Sequence, residues 1–172
     1  MRQSSRTAAI CGLTAALSLV LMALGSAMGV MTYVCPILVG VLLLCVREEL
    51  GVRMALTEWA AIGLLAVILV PEPEMNAVFV GVFGWYPAAK PALDRIPRPF
   101  SLPARLLSMN AGAVLSYTVL AAAVGLQDMP GSFWGWVGLL ALANLVFLGY
   151  DLALERLRVT LVPRLRRLFP HG

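Results

Sequence analysis

The stretch Ala8–Met28, AAICGLTAALSLVLMALGSAM, carries no charged residue, and Arg2 and Arg6 stand immediately before it. At 1.5 Å rise per residue, about 20 apolar residues cross a hydrocarbon core of roughly 30 Å. The run therefore predicts a transmembrane helix. Ala8, Gly12 and Ala16 recur at every fourth position, and Gly25 and Gly29 repeat that spacing near its far end. Small side chains so spaced let a neighbouring helix come close, and close van der Waals contact is a main source of helix association in lipid. A basic start followed by an apolar stretch is also the outline of a secretory signal. This apolar part is longer than a signal core and further apolar runs follow, so it is read as an uncleaved first span.

Composition extends the same reading to the whole chain. Of 172 residues 60% are hydrophobic and 13% charged, with a mean hydropathy of +0.88. A soluble domain normally carries about a quarter charged residues. Too little polar sequence is left for a separate soluble domain, so a single membrane domain is expected. The net charge of +4 does not indicate nucleic acid, because the basic residues sit beside apolar runs and no nucleic-acid-binding motif occurs. Cys11, Cys35 and Cys45 lie inside apolar runs without a Cys-x-x-Cys pair. They read as small buried hydrophobes, with no disulfide framework and no metal site.

The runs predict an all-α integral membrane protein of six spans, at about 8–30, 31–46, 54–70, 75–89, 106–126 and 133–150. The second contains Pro36, and the fourth is short with Gly81, Gly84 and Pro87. Residues 47–53, REELGVR, read as a charged turn. The connection Lys90–Arg105, with Pro91, Pro97, Pro99 and Pro103, reads as non-helical. QDMPGS at 127–132 reads as another turn. Residues 151–172 form a basic amphipathic tail, either an interfacial helix on anionic lipid or a plain positively charged end turning irregular at Pro163.

Six spans put all 13 Lys and Arg residues on one side of the membrane, and leave only Glu72, Glu74 and Asp128 on the other. Lys and Arg bias in short loops sets orientation. Both termini are therefore expected in the cytoplasm of a bacterial cell, with the protein in its cytoplasmic membrane.

Polar residues within the spans raise functional possibilities. Glu58, Asn110, Asn144 and Asp151 suggest a polar layer in the cytoplasmic half, serving either a substrate or proton path through Glu58 or ordinary hydrogen bonding between helices. On the outer side Thr32 and Tyr33, then Glu72, Glu74 and Asn76, then Gln127, Asp128, Trp134 and Trp136 mark three turns, with Tyr117 mid-span. These groups suit either a small-molecule pocket or an aromatic belt with its acids in water. Tyr33, Asn76 and Tyr117 are the ligand candidates. Enzyme chemistry finds no support. The one histidine is His171, and neither a Gly-x-Ser-x-Gly elbow nor a Walker loop is present. No cofactor is expected.

Six short spans, cytoplasmic ends and the Ala8, Gly12, Ala16 stripe resemble the substrate-binding S components of energy-coupling factor (ECF) transporters. In that family an Ala-x-x-x-Ala stripe on the first helix docks a shared transmembrane subunit; here Gly12 replaces the central alanine. The resemblance implies a vitamin or metal-ion ligand held near the outer face, a coupling subunit and separate ATPases. Ligand residues of the riboflavin, thiamine and biotin members are not recognisable. The chain is also similar to uncharacterised small membrane proteins of Firmicutes. That likeness rests on Thr32-Tyr33 with Pro36, on Pro71–Lys90 (PEPE…FGWYPAAK), and on Asn144 with Tyr150-Asp151 (NLVFLGYD). A different class is a non-transporting assembly protein that binds a cytoplasmic partner or anionic lipid through its basic tail.

Overall fold

The structure is a computed structural model that describes residues 2–29, 31–124 and 133–168. All regular structure among them is helical: α1 (Arg2–Met28), α2 (Val34–Leu50), α3 (Val52–Leu69), α4 (Pro73–Val78), a π-helical segment (Phe79–Phe83), α5 (Tyr86–Asp94), α6 (Arg98–Val124) and α7 (Phe133–Leu168). The chain divides into two compact units, Met1–Gln127 and Asp128–Gly172.

In the first unit α1, α2 and α3 pack on one another, and the π segment packs against α2 and α6. Met22, Val39, Leu43, Ile62, Ala66 and Phe79 form the centre of its core. A smaller cluster of Val46, Ala55 and Ala88 joins α2, α3 and α5. The outward faces are also apolar. Leu13 on α1, Ile68 on α3 and Leu107 on α6 are each more than two-thirds exposed. A helix apolar on all sides belongs in a large core or in lipid. Two described helices are long and apolar enough to cross a membrane: Ser5–Met28 and Val52–Leu69, with mean hydropathies of 2.2 and 1.8. In the most apolar 18-residue window of each, 17% and 28% of the residues are buried.

Each of the six apolar runs corresponds to helix, but several boundaries differ from the expected ones. The charged segment 47–53 is not a turn. α2 runs on through Arg47, Glu48, Glu49 and Leu50, all good helix formers. Gly51 alone breaks the chain, with φ +91° and ψ 172°, a combination essentially reserved for glycine. The proline-rich connection contracts to residues 95–97. Pro99 falls in the first turn of α6, where an amide hydrogen has no intrahelical partner to lose, and the Pro97 carbonyl accepts from the Phe100 and Ser101 amides. Pro36 likewise stands in the first turn of α2 and interrupts nothing.

The fourth run is helix of changing pitch. The Gly84 amide donates to the Phe79 carbonyl at 2.8 Å, a bond five residues back, and the Trp85 indole N–H donates to the Gly81 carbonyl at 2.8 Å. Gly81 lies against α6 at Gly112, where a Cβ on either glycine would strike the other's carbonyl oxygen.

The second unit is α7, which continues through the expected boundary at residue 150 to Leu168. Its 36 residues extend about 54 Å. Its backbone stays helical past Pro163, in place of the irregular end that proline suggested.

Candidate functional site

Opposite helix directions sort the first unit's charges by end. At the basic end Arg6 of α1 lies 3.6 Å from Glu49 of α2, Arg47 pairs with Glu48, and Arg105 of α6 meets Asp94 of α5 at 2.5 Å. The other end gathers three separate pieces of chain: the α1–α2 connection, the start of α4 and the far part of α6.

There the Tyr33 and Tyr117 hydroxyls both donate to Glu74 Oε1, at 2.7 and 2.8 Å, and stand 3.4 Å from each other. The adjacent Thr32 hydroxyl bonds Glu72 Oε1. Tyr33 is about half exposed, so the cluster opens to its surroundings on one side. Local sequence explains the placement. Gly29, at φ +65°, lets the chain leave α1. Glu72 immediately precedes the helix that starts at Pro73, and Glu74 follows two residues later. Together these carboxylates set two negative charges beside two phenols, a surface suited to a ligand that offers hydrogen-bond donors, a positive charge or a stackable face.

Two of the ligand candidates, Tyr33 and Tyr117, are thus brought together, and the third is not part of that contact. Asn76 is 94% buried by its 6% exposure, and its amide donates to the Ala66 and Val70 carbonyls, each at 3.2 Å. It fastens α4 to the end of α3, with Oδ1 buried and unpartnered. Glu74, which joins the two tyrosines, stood among the outer-turn groups of the sequence but was not singled out as a ligand candidate.

The expected polar layer resolves into separate contacts. Glu58 is buried and bonds across to α1, where the Thr14 hydroxyl meets Oε1 and the Cys11 thiol is within hydrogen-bonding reach. Asn110 donates to the Leu106 carbonyl of its own helix at 2.8 Å, and Asn144 to the Leu140 carbonyl at 2.7 Å. Asn144 and Asp151 lie two turns apart on α7, in the second unit. Thr14 was missed as the partner of Glu58. Its signal was present, since Thr14 and Ser18 are polar residues one turn apart in an uncharged run.

Ala8, Gly12 and Ala16 are exposed on α1, and a Cβ placed on Gly12 would meet no other atom within 4 Å. The stripe is therefore an open surface of the first unit, distinct from the inward face carrying Thr14, Ser18 and Met22. Trp134 is exposed on α7, the side chain of Trp136 is outside the described set, and Gln127 and Asp128 lie outside the described residues.

No protein-family model, no curated protein and no solved structure matches the chain.

Proposed function

We propose that this protein spans a bacterial cytoplasmic membrane six times and captures a small molecule at its Tyr33–Glu74–Tyr117 end. The capture site would serve an S-component-like subunit of an ECF transporter. The observation that carries the reading is the convergence of two phenols from distant parts of the chain on one carboxylate oxygen. It lies at the end away from Arg6, Arg47 and Arg105, which the positive-inside bias assigns to the cytoplasm. Outward-facing Leu, Val and Ile on α1, α3 and α6 support a lipid surround. The open stripe of Ala8, Gly12 and Ala16 supplies a surface for a transmembrane coupling subunit, with ATP hydrolysed by further partners.

Co-purification of the tagged protein from its native host, followed by mass spectrometry, tests the reading. Recovery of a transmembrane coupling subunit and its ATPases, lost when Gly12→Leu and Ala16→Leu are combined, is the expected result. Docking that survives both substitutions would refute the role of the stripe.

The length of α7 favours a second reading as an assembly protein. About 54 Å of helix exceeds a hydrocarbon core of roughly 30 Å, which leaves a helical extension around Arg156 and Arg158 to meet anionic lipid or a cytoplasmic partner. Recovery of such partners with no coupling subunit would support it.

A further inference from the structure

The interior contact between α1 and α3 has a composition that its surroundings do not balance. Glu58 is 5% exposed. Its Oε1 meets Thr14, its Oε2 has no hydrogen-bond partner, and Ser18, one turn further along α1, has a fully buried hydroxyl that is also unpartnered. The Thr14 hydroxyl has one proton, and its oxygen already lies 2.8 Å from the Ile10 carbonyl, which can only accept. An ionised carboxylate offers about four acceptor positions and brings a charge that must be paired. Here only Thr14 and Cys11 reach it.

Most described charged groups on the elements around it are paired with other residues. Arg6 of α1 is on Glu49, and Arg47 and Glu48 of α2 are on each other. Arg53 stands at the exposed start of α3. Lys90 and Tyr86 of α5 have partners of their own, and Glu74 of α4 is on the two tyrosines. A neutral carboxyl group fits this inventory. In that form the acid's O–H would donate to the Thr14 oxygen, which would leave the Thr14 hydroxyl to donate to the Ile10 carbonyl.

We infer that Glu58 is a proton-binding site that clasps α1 to α3, with Thr14 as the acceptor of the bound proton. The acid supplies the donor that the contact lacks. Loss of the proton would leave an anion between two apolar helices without a cation, so proton release and loosening of α1 are coupled. Because α1 also carries the open Ala8, Gly12, Ala16 surface, the clasp governs how firmly that surface is held. The clasp stands on the contact alone and does not depend on the capture reading.

Infrared spectroscopy of the full-length protein in detergent, compared with Glu58→Gln, tests it. Glutamine is isosteric with the neutral acid, so the variant is expected to fold and to keep α1 protected. The wild type should show a protonated-carboxyl stretch at neutral pH that is absent from Glu58→Gln and weakens in Thr14→Val. Hydrogen–deuterium exchange along α1 should rise at least tenfold on alkalinisation in the wild type and stay unchanged in Glu58→Gln. A wild-type spectrum with no such band at neutral pH would overturn the inference. So would equal alkaline loosening of α1 in both proteins.

Discussion

Replacing Gly81 with alanine probes the tightest joint in the first unit. A Cβ at residue 81 would lie 2.7 Å from the Ser116 Cβ and 2.8 Å from the Gly112 carbonyl oxygen. These are not flexible side-chain tips, so the π segment and α6 must move apart. Overpacking of this kind costs about 1–3 kcal/mol. The shift also strains the Trp85 indole bond to the Gly81 carbonyl, worth about 1 kcal/mol. Against this, alanine regains up to about 1 kcal/mol of helix propensity. The net expectation is a loss of about 1–3 kcal/mol. Gly12→Ala is the matched control, because its Cβ meets nothing within 4 Å and it should be neutral or stabilising by up to about 1 kcal/mol. Unfolding from mixed micelles with increasing dodecyl sulfate, followed by tryptophan fluorescence and circular dichroism, measures both. Ser116→Ala in the Gly81→Ala background should restore only part of the loss, since the Gly112 backbone remains. A Gly81→Ala protein as stable as the Gly12→Ala control would refute the close approach of the π segment to α6.

Other perturbations test the remaining joints by the same assay. Gly51→Ala and Gly51→Asn should each cost about 1–3 kcal/mol, because asparagine tolerates ordinary left-handed backbone but not φ +91° with ψ 172°. Rescue by asparagine would contradict that geometry. Asn76→Ala removes both amide bonds to the end of α3 and should cost about 1–3 kcal/mol, whereas an unchanged midpoint would show that Asn76 does not fasten α4. Glu74→Gln and Tyr117→Phe should couple by about 0.5–1.5 kcal/mol in a double-mutant cycle, and simple additivity would mean that the shared contact is not made.

The parts of this fold that sequence made legible are those fixed by hydrophobic run length and charge. The cores of α1, α2 and α3 follow from uninterrupted apolar stretches, and the pairing of Arg6 with Glu49 agrees with a common side for their segments. The helix ends were harder to read because polarity is a poor guide to backbone conformation. Arg47–Leu50 is charged yet helical, and Pro99 costs nothing in a first turn. The π segment was hidden as well. Its Gly81 lies against Gly112, 31 residues away, and no local pattern announces such a partner. At the candidate site, Tyr33 and Tyr117 were recognisable as polar aromatics beside apolar runs. Their meeting on Glu74 depends on how three turns converge, which run lengths do not determine. Asn76 looked equally suited to a ligand from its type and position, but the carbonyl ends of α3 claim its amide.

The proposed function requires a membrane-spanning bundle with its basic end in the cytoplasm and its Tyr33–Glu74–Tyr117 end outside. Single cysteines at exposed positions test it directly, in a background with Cys11, Cys35 and Cys45 replaced and all thirteen cations kept. Met31→Cys and Pro71→Cys should react with a membrane-impermeant maleimide in intact cells. Val52→Cys and Ala92→Cys should react only after the membrane is opened. Labelling of all four in intact cells, the reverse pattern, or recovery of the protein in the soluble fraction would contradict the account.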